Sequence, residues 1–457
     1  MLVMAIGAVV TYIVFSWVAF SVRRSHSVID TRDRLNARYA AESVVSKALY
    51  ERMINPQGPI VPDSAFQIVR AGDSLNQAAA ESTLVYIDSL HHSEASATLH
   101  EEGSYVRVEA AGRAGKATWD IVALFGQEMP PDFKYALILS VQNKPLEVRR
   151  GRIVGDVKTA QQPAGSIDGK IDAGSIVTLP PVDERKFAEV MIELEGKLSF
   201  SDSAETVFQG SQVFDEQTMP QLGNGRTVFV NGHVLISGGL TKPISLKGPG
   251  TILATGDIQI SGAAAIEDVE CIAVGQVKCF DACRLDKVTI YSQQSIYLDN
   301  EAWVSGNLYA FKTITCAGQS TIALPSFAYI KGEAGKDPRK NVFGLQLMQQ
   351  SRFSGTFFCA AAASYSIVER DARFTGLLYT RGRLELGGTV FGCVAAFELA
   401  ESIEDNRNTL AGGTIIRKVL PSNFVIPPAF GRKGAGYRLV SWSETPPSDS
   451  KRENADE

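Results

Sequence analysis

Four carboxylates and one basic residue lie close together in the second half of the chain: Asp281, Asp286, Asp299 and Glu301, with Arg284 between them. Clustered carboxylates beside a basic group can bind calcium and exchange protons, which is the chemistry needed to cleave acidic polysaccharides. No further motif of that chemistry accompanies them. We therefore interpret them as solvated turn residues, with a carbohydrate-cleaving site as the alternative.

Other reactive residue types form no recognisable site. The cysteines at 271, 279, 283, 316, 359 and 393 show no CxxC pair and no Cys/His zinc pattern. They are expected to be small core residues, although a disulfide remains open, with Cys279 and Cys283 as the nearest pair. The adjacent His91 and His92 are interpreted as turn surface. With no phosphate-binding glycine loop and no nucleophile elbow, we predict no enzyme, no cofactor and no metal site.

The overall charge argues against a nucleic-acid partner. Lys and Arg total 45 against 50 Asp and Glu, and no long basic block occurs. The 40 glycines and the charged fraction of 21% favour a folded chain rich in tight turns over a disordered one.

The first element is an apolar segment. Residues 2–22 carry no charge, and a stretch of about 20 apolar residues is long enough to cross a bilayer as a helix. We expect 1–22 to be a transmembrane helix in contact with membrane lipid, and the protein to be a single-pass protein of the bacterial inner membrane. The side chains expected to pack there are Val14, Phe15, Trp17, Val18 and Phe20.

The orientation of this segment is left open. We expect the body on the periplasmic or extracellular side, whereas the arginines that follow residue 22 would by the positive-inside rule keep it in the cytoplasm.

Residues 23–56 predict an amphipathic continuation of that helix. The apolar positions follow helical spacing and are expected to share mainly one stripe, and Asn55-Pro56 ends the helix. They are Val28, Leu35, Tyr39, Val44, Val45, Ala48, Leu49 and Met53. From 57 to 130 the alternation changes to period two, in TLVYIDSL, YVRVEAAGRAG and ATWDIVALFG, and predicts a small α+β unit.

Residues 131–445 show short strand patterns separated by glycines. VFVNGHVLISG is echoed by TILATGDIQISG, and intervals such as Gly232 to Gly256 fall near 20 to 24 residues. Repeats of this length are typical of solenoids, in which each coil hides its inward aliphatic side chains only against its neighbours. The predicted fold class is therefore mainly β, with a right-handed parallel β-helix-like solenoid and a β-sandwich as the alternative. Residues 183–224 are expected to leave the stack, and 446–457 to form a disordered tail.

Several segments resemble PilX-type proteins, the pilin-like assembly components of type IV pili. The apolar helix leads into ARYAAESVVSKAL, with Ala37, Ala40, Ala41, Glu42 and Ser43 at the resembling positions. Longer members of that group are also similar in YVRVEAAGRAGKATWDIVAL, DFKYALIL, LPPVDERKF, GPGTILATGDIQISG and GYRLVSWSE. The glycine-rich coils resemble bactofilin-type scaffolds as well.

The resemblance implies a structural role at the cell envelope with pilin-like subunits or envelope assembly proteins as partners. Two alternatives remain: a surface protein that binds or cleaves polysaccharide, for which we predict an acidic groove, and a cytoplasmic bactofilin-like membrane scaffold.

Overall fold

A computed structural model describes residues 24, 27–48, 66–70, 82–88, 93–102, 105–127, 129–174, 176–199, 204–223, 225–239, 243–332, 344–404, 406–418, 420–421, 424, 426–430 and 437–445. The chain divides into two compact units. The first comprises 1–125 together with 436–457, and the second comprises 126–435.

The described residues form two α-helices, two short 3-10 helices and a long series of strands. The α-helices are α1 (27–48) and α2 (Glu184–Ser199), and the 3-10 helices are Pro131–Phe133 and Pro428–Phe430. The strands are β1 Phe66–Arg70, β2 Ser82–Asp88, β3 Ser93–Glu102, β4 Tyr105–Ala114, β5 Ala117–Gln127, β6 Leu137–Leu139, β7 Glu147–Val154, β8 Val157–Thr159, β9 Ala164–Asp168, β10 Ile171–Ala173, β11 Thr206–Gln209, β12 Gln212–Phe214, β13 Arg226–Asn231, β14 Val234–Gly238, β15 Ile244–Ala254, β16 Ile258–Gly262, β17 Ala264–Ala273, β18 Val277–Cys279, β19 Arg284–Ser292, β20 Ser295–Leu298, β21 Trp303–Ala310, β22 Thr313–Cys316, β23 Thr321–Ile330, β24 Gly344–Leu347, β25 Arg352–Cys359, β26 Tyr365–Val368, β27 Arg373–Leu386, β28 Thr389–Ala400, β29 Thr409–Leu410, β30 Thr414–Ile416 and β31 Tyr437–Thr445.

The first unit is a helix packed on a sheet. Strands β1 to β4 pair antiparallel in chain order, β5 follows, and β31 from the chain's C-terminal part adds the sixth strand. Alternation along β3 and β4 turns small apolar residues toward α1. Gly112 is required there, because a Cβ atom at this position would lie 1.9 Å from the carbonyl oxygen of Ala37. Alanines on α1 and a glycine on β4 thus bring helix and sheet into close contact.

The second unit is a parallel β-solenoid of about 12 turns. A typical coil consists of a short strand, a turn and a longer strand that bends at a register shift, as in β20 and β21. Every coil pairs in parallel with the next, so equivalent residues form columns along the stack, such as Val234, Ile258, Val277 and Ile296. These columns fill a continuous aliphatic interior. Each coil must stack on its neighbours, because only they shield its inward side chains from water.

One corner of the coils depends on glycine. Gly355, Gly376 and Gly392 stack in consecutive coils with φ between +133° and +149°. A Cβ atom at Gly376 would approach the carbonyl oxygen of Gly355 to 2.0 Å. A side chain is therefore excluded there by both backbone conformation and space.

The order of coils in space differs from their order in the chain. Strands β6 to β10 do not precede β11 in the stack; β6 pairs with β28, and β7 pairs with β29 and β30. The first coils of the chain therefore stack on its last coils, at a junction with no covalent continuity. A buried ion cluster lies at this junction: Glu398 contacts Lys144 at 2.8 Å and Arg383 at 2.7 Å, and only 4% of the Glu398 side chain is exposed.

Helix α2 makes the connection back to the other end of the stack. Phe187, Met191 and Leu194 are buried at i, i+4 and i+7 against a column of aromatic and aliphatic residues outside the coils. Glu184 pairs with Arg381 of a late coil, and Lys197 contacts Glu270 of an early coil at 2.8 Å.

The structure confirms the mainly β solenoid class, and its parallel pairing excludes the β-sandwich alternative. It refines two segments. Within 183–224, the excursion is α2, whereas β11 and β12 pair as coils with β13 and β14. Residues 437–445, placed by the sequence at the end of the solenoid, form β31 of the first unit's sheet.

The structure contradicts the predicted location as a single-pass protein of the inner membrane. Across the part of the chain that the structure describes, neither helix is sufficiently long and apolar to cross a bilayer. Both carry charges throughout; in α1, Asp30, Arg32, Asp33 and Arg34 fall within little more than one turn, and charged side chains in a bilayer are costly. The segment 1–22 on which the prediction rested lies outside the described residues, as do 446–457.

Candidate functional site

Three of the four carboxylates singled out in the sequence lie in equivalent turns of adjacent coils, and the fourth, Asp286, lies apart. Asp281 lies in the turn between β18 and β19, and Asp299 and Glu301 lie in the equivalent turn of the next coil. There, Asn300 Nδ2 donates to Asp281 Oδ1 at 3.3 Å and Tyr297 Oη donates to Asp299 Oδ2 at 3.0 Å. These two aspartates thus have local structural hydrogen bonds.

Asp286 and Arg284 are engaged elsewhere. Asp286 lies at the bend of β19, at another corner of the coil, and accepts a hydrogen bond from Ser305 Oγ at 2.5 Å. The guanidinium of Arg284 stacks 4.5 Å from the ring centroid of Trp303. Among the described residues, no three His, Cys, Asp or Glu side chains group to hold a metal ion. The acidic groove of the polysaccharide alternative stays a prediction.

The cysteines are free thiols: five lie in the solenoid interior, and Cys393 lies in the column outside the coils that packs against α2. All six are fully buried. A hydrogen bond with Cys283, together with burial, raises the pKa of Cys279 well above its ordinary value. Burial likewise raises the pKa of Cys271 to about 12. Protonated, water-excluded thiols are poor nucleophiles, so these residues act as core side chains. His91 and His92 lie outside the described residues.

Helix α1 presents a different kind of surface. Ala37, Ala41, Val44, Val45 and Ala48 are buried, four of them in the core with the sheet. Besides Ile29, which is 42% exposed, three large apolar side chains of α1 remain exposed instead: Val28 by 62%, Leu35 by 45% and Tyr39 by 60%. Successive spacings of seven and four residues place these three on one side of a helix. We call Val28, Leu35 and Tyr39 the α1 stripe.

The α1 stripe differs from the single stripe expected from the sequence. The sequence pattern groups Val28, Leu35 and Tyr39 with Val44 and Val45, but the structure places the two sets on opposite sides of α1. At about 100° per residue the two sets separate on the helix circumference, so the spacing itself could have distinguished them. Both sets are apolar, and that concealed the difference.

The helix is also attached to the last strand of its unit. Arg38 donates to Glu444 of β31 at 3.0 Å and pairs with Glu42 at 3.0 Å. Trp119 and Trp442 donate their indole N–H groups to the same glutamate at 3.2 and 2.8 Å. These contacts lie on the flank of α1 and leave the α1 stripe uncovered within the described residues.

The predicted packing residues of the first segment cannot be placed on this surface. They lie outside the described residues: Val14, Phe15, Trp17, Val18 and Phe20. The described site therefore consists of the α1 stripe, which sequence reasoning did not separate from the core.

Fold and site together define a class of protein. One chain contains a parallel β-solenoid and a second unit in which a helix packs on an antiparallel sheet, and that helix exposes an apolar stripe. No protein-family model and no curated protein matches the sequence. Among solved structures, the competence-associated pilin ComZ from Thermus thermophilus is similar over 91% of this chain and 98% of its own, at 10% sequence identity and a TM-score of 0.19. At that score the likeness supports no inference about function, and the PilX-type resemblance stays a prediction.

Proposed function

We propose that the protein is a non-enzymatic, pilin-like structural subunit, in which the α1 stripe packs against helices of neighbouring subunits and the β-solenoid forms the displayed body. The observation that carries the proposal is the α1 stripe, an apolar helix surface opposite the buried one. Covering large apolar side chains is favourable by about 25 cal/mol per Å² removed from water. Helix-to-helix packing is the arrangement that suits apolar side chains seven and four residues apart.

The flanks of α1 suit such packing. Charged residues of both signs border the stripe, including Arg32 and Glu42. Charges beside an apolar seam set the register and partner choice of packed helices, while the apolar seam supplies the stability. The PilX-type resemblance in the sequence around Ala37 to Ser43 points the same way.

The proposal is tested by introducing charge into the stripe. We expect Val28→Glu combined with Leu35→Glu to reduce the amount of the full chain recovered in filaments sheared from producing cells by about tenfold or more, since the carboxylates would be desolvated on packing. Ile192→Glu is the matched control, because Ile192 is a helix residue with 64% exposure on α2. It should leave recovery unchanged.

Two outcomes would contradict the proposal. One is a wild-type chain missing from the filament fraction of cells that assemble such filaments. The other is equal recovery of the stripe variant and the wild-type chain.

A further inference from the structure

One outward column of the solenoid is rich in arginine. The parallel register aligns equivalent positions of eight coils, and the residues in order along the stack are Arg284, Trp303, Thr321, Arg352, Arg373, Thr389, Thr414 and Arg152. No acidic residue occurs in this column, although the chain as a whole carries a net charge of -5.

Two of these arginines are direct neighbours. Arg352 and Arg373 are paired in adjacent strands, roughly 4.8 Å apart along the stack. Both are exposed, and neither forms an ion pair with another described residue. Like charges directly opposite each other in a sheet are destabilising. The solenoid therefore bears an electrostatic cost at this position.

Elsewhere in the solenoid, like charges in register are offset by ion pairs, as where Glu267 lies opposite Asp286. Glu267 lies between Lys247 and Lys287 of the neighbouring coils, at 3.8 and 3.6 Å. Asp257 pairs with Lys278 of the next coil at 3.2 Å. The solenoid can therefore place opposite charges next to each other on neighbouring coils. Arg352 and Arg373 instead place two positive charges next to each other.

The pair is held rigidly in register. Directly behind it, Phe353 and Phe374 stack in the interior with ring centroids 4.8 Å apart and an interplanar angle of 8°. Both phenylalanines are fully buried. The arginine backbones are therefore fixed one coil apart, so little backbone ordering is needed when an anion binds.

Two hydroxyl side chains lie beside the arginines, and we call Arg352, Arg373, Ser354 and Thr375 together the grid. Ser354 and Thr375 are the next outward pair along the same two strands and are partly exposed. Nearby carboxylates are those of the preceding turn: Glu369, which accepts the backbone N–H of Gln349 at 2.8 Å, and the exposed Asp371.

The ends of the column are engaged differently. The guanidinium face of Arg284 is occupied by Trp303, whereas the N–H donors lie in the plane of the guanidinium group. Arg152 contacts Asp168 at 3.3 Å. The strongest unpaired positive charge of the column therefore lies at the central pair.

We propose that Arg352, Arg373, Ser354 and Thr375 bind an extended acidic polysaccharide that lies along the column. Guanidinium groups form paired hydrogen bonds with carboxylates, and serine and threonine hydroxyls suit sugar hydroxyls. Arginines repeated at the coil spacing match a polymer that carries one acidic group per sugar unit. This binding activity is additional to the proposed assembly function and does not depend on it.

The grid favours a polysaccharide over single-stranded nucleic acid. Proteins that bind single strands combine basic grooves with aromatic side chains on which bases stack. None of the four grid residues is aromatic, and the one aromatic residue of the column, Trp303, is covered on one face by Arg284.

The test uses polygalacturonate as the probe and the full chain as the protein. We expect wild-type protein to bind polygalacturonate and not a neutral dextran. Arg352→Gln combined with Arg373→Gln should weaken binding by about tenfold or more. The matched control is Arg149→Gln combined with Arg226→Gln, which removes the same charge from two exposed arginines that are ion-paired with Glu147 and Glu205. That control should bind within about twofold of wild type.

A lysine variant separates recognition from charge. Arg352→Lys combined with Arg373→Lys keeps the charge but loses the planar donor pair, so an intermediate affinity supports the grid. Absence of polygalacturonate binding, or equal weakening in the Gln pair and the control, overturns the proposal. Tighter binding of single-stranded DNA through the same arginines would also overturn it, in favour of a nucleic-acid surface. Because α1 is unaltered in all these variants, recovery in sheared filaments reports separately on the assembly function.

Discussion

At the scale of single residues, polar side chains in this protein mostly hold structure. Glu444 is the clearest case in the first unit, because it accepts hydrogen bonds from Trp442, Arg38 and Trp119. The hydrogen bond from Trp442, aided by Arg38 and Trp119, holds the pKa of Glu444 below its usual value of 4.5. The charged form is therefore the one that stabilises the attachment of β31.

This pKa shift predicts an acid-sensitive attachment. A carboxylate with a lowered pKa stabilises the folded state above its ordinary pKa, and that contribution is lost as the pH falls through the lowered value. We expect the hydrogen-exchange protection of β31, corrected for the pH dependence of intrinsic amide exchange, to fall and tryptophan fluorescence to change on acidification below 4.5. Glu444→Gln should show the faster exchange already at neutral pH. An unaltered acid response in the Gln variant would contradict the assignment to Glu444.

At the scale of elements, regularly spaced apolar side chains allow α2 to cover one side of the solenoid. Its Phe187 ring stacks on Phe327 and Tyr329 with centroids 4.8 and 5.1 Å apart. Tyr291 Oη donates to Glu195 near the other end of the helix at 2.6 Å. One helix thus shields the outward aromatic column of the coils from water.

We predict that Phe187→Ala destabilises the second unit by about 3 to 5 kcal/mol, because it removes a buried aromatic side chain from this contact and leaves a cavity. Urea unfolding followed by hydrogen exchange of the coils measures the change. Ile192→Ala, at an exposed position of the same helix, should alter stability by less than about 0.5 kcal/mol. Equal effects of the two substitutions would show that α2 does not cover the coils through Phe187.

At the scale of the whole molecule, the decisive feature is the junction between the first and last coils. Parallel pairing of β7 with β30 brings Val154 opposite Ile416, both partly exposed, although they are far apart in the chain. Adjacent strand residues of this kind fall within the Cα separation that a disulfide can span.

This topology predicts a specific cross-link. Val154→Cys combined with Ile416→Cys should form an intramolecular disulfide under mild oxidation, seen as a mobility shift on a non-reducing gel that reductant reverses. The native cysteines are fully buried and should not interfere. Val154→Cys combined with Val207→Cys places the second thiol on β11 in a coil outside this pairing and should give no shift. A shift only in that control would refute the order of coils.

What the sequence determined is the local architecture. Glycine-separated aliphatic strands at intervals near 20 to 24 residues specify coils that must stack, because no single coil can dry its inward residues. The strands predicted from TLVYIDSL, YVRVEAAGRAG and ATWDIVALFG also correspond to β2, β4 and β5. These features depend on side-chain alternation and turn chemistry, which are local properties of the chain.

Only the tertiary structure decided which distant residues meet. Parallel coils are equally able to stack on a preceding or a later neighbour, so the placement of β6 to β10 beyond β30 could not be read from local pattern. The same holds for β31 beside β5, for the two sides of α1 and for the Arg352–Arg373 pair, whose adjacency requires the exact register. Hydrophobic burial is non-directional; it requires apolar residues to be covered, but the neighbour that covers them is selected by the packing of the complete chain.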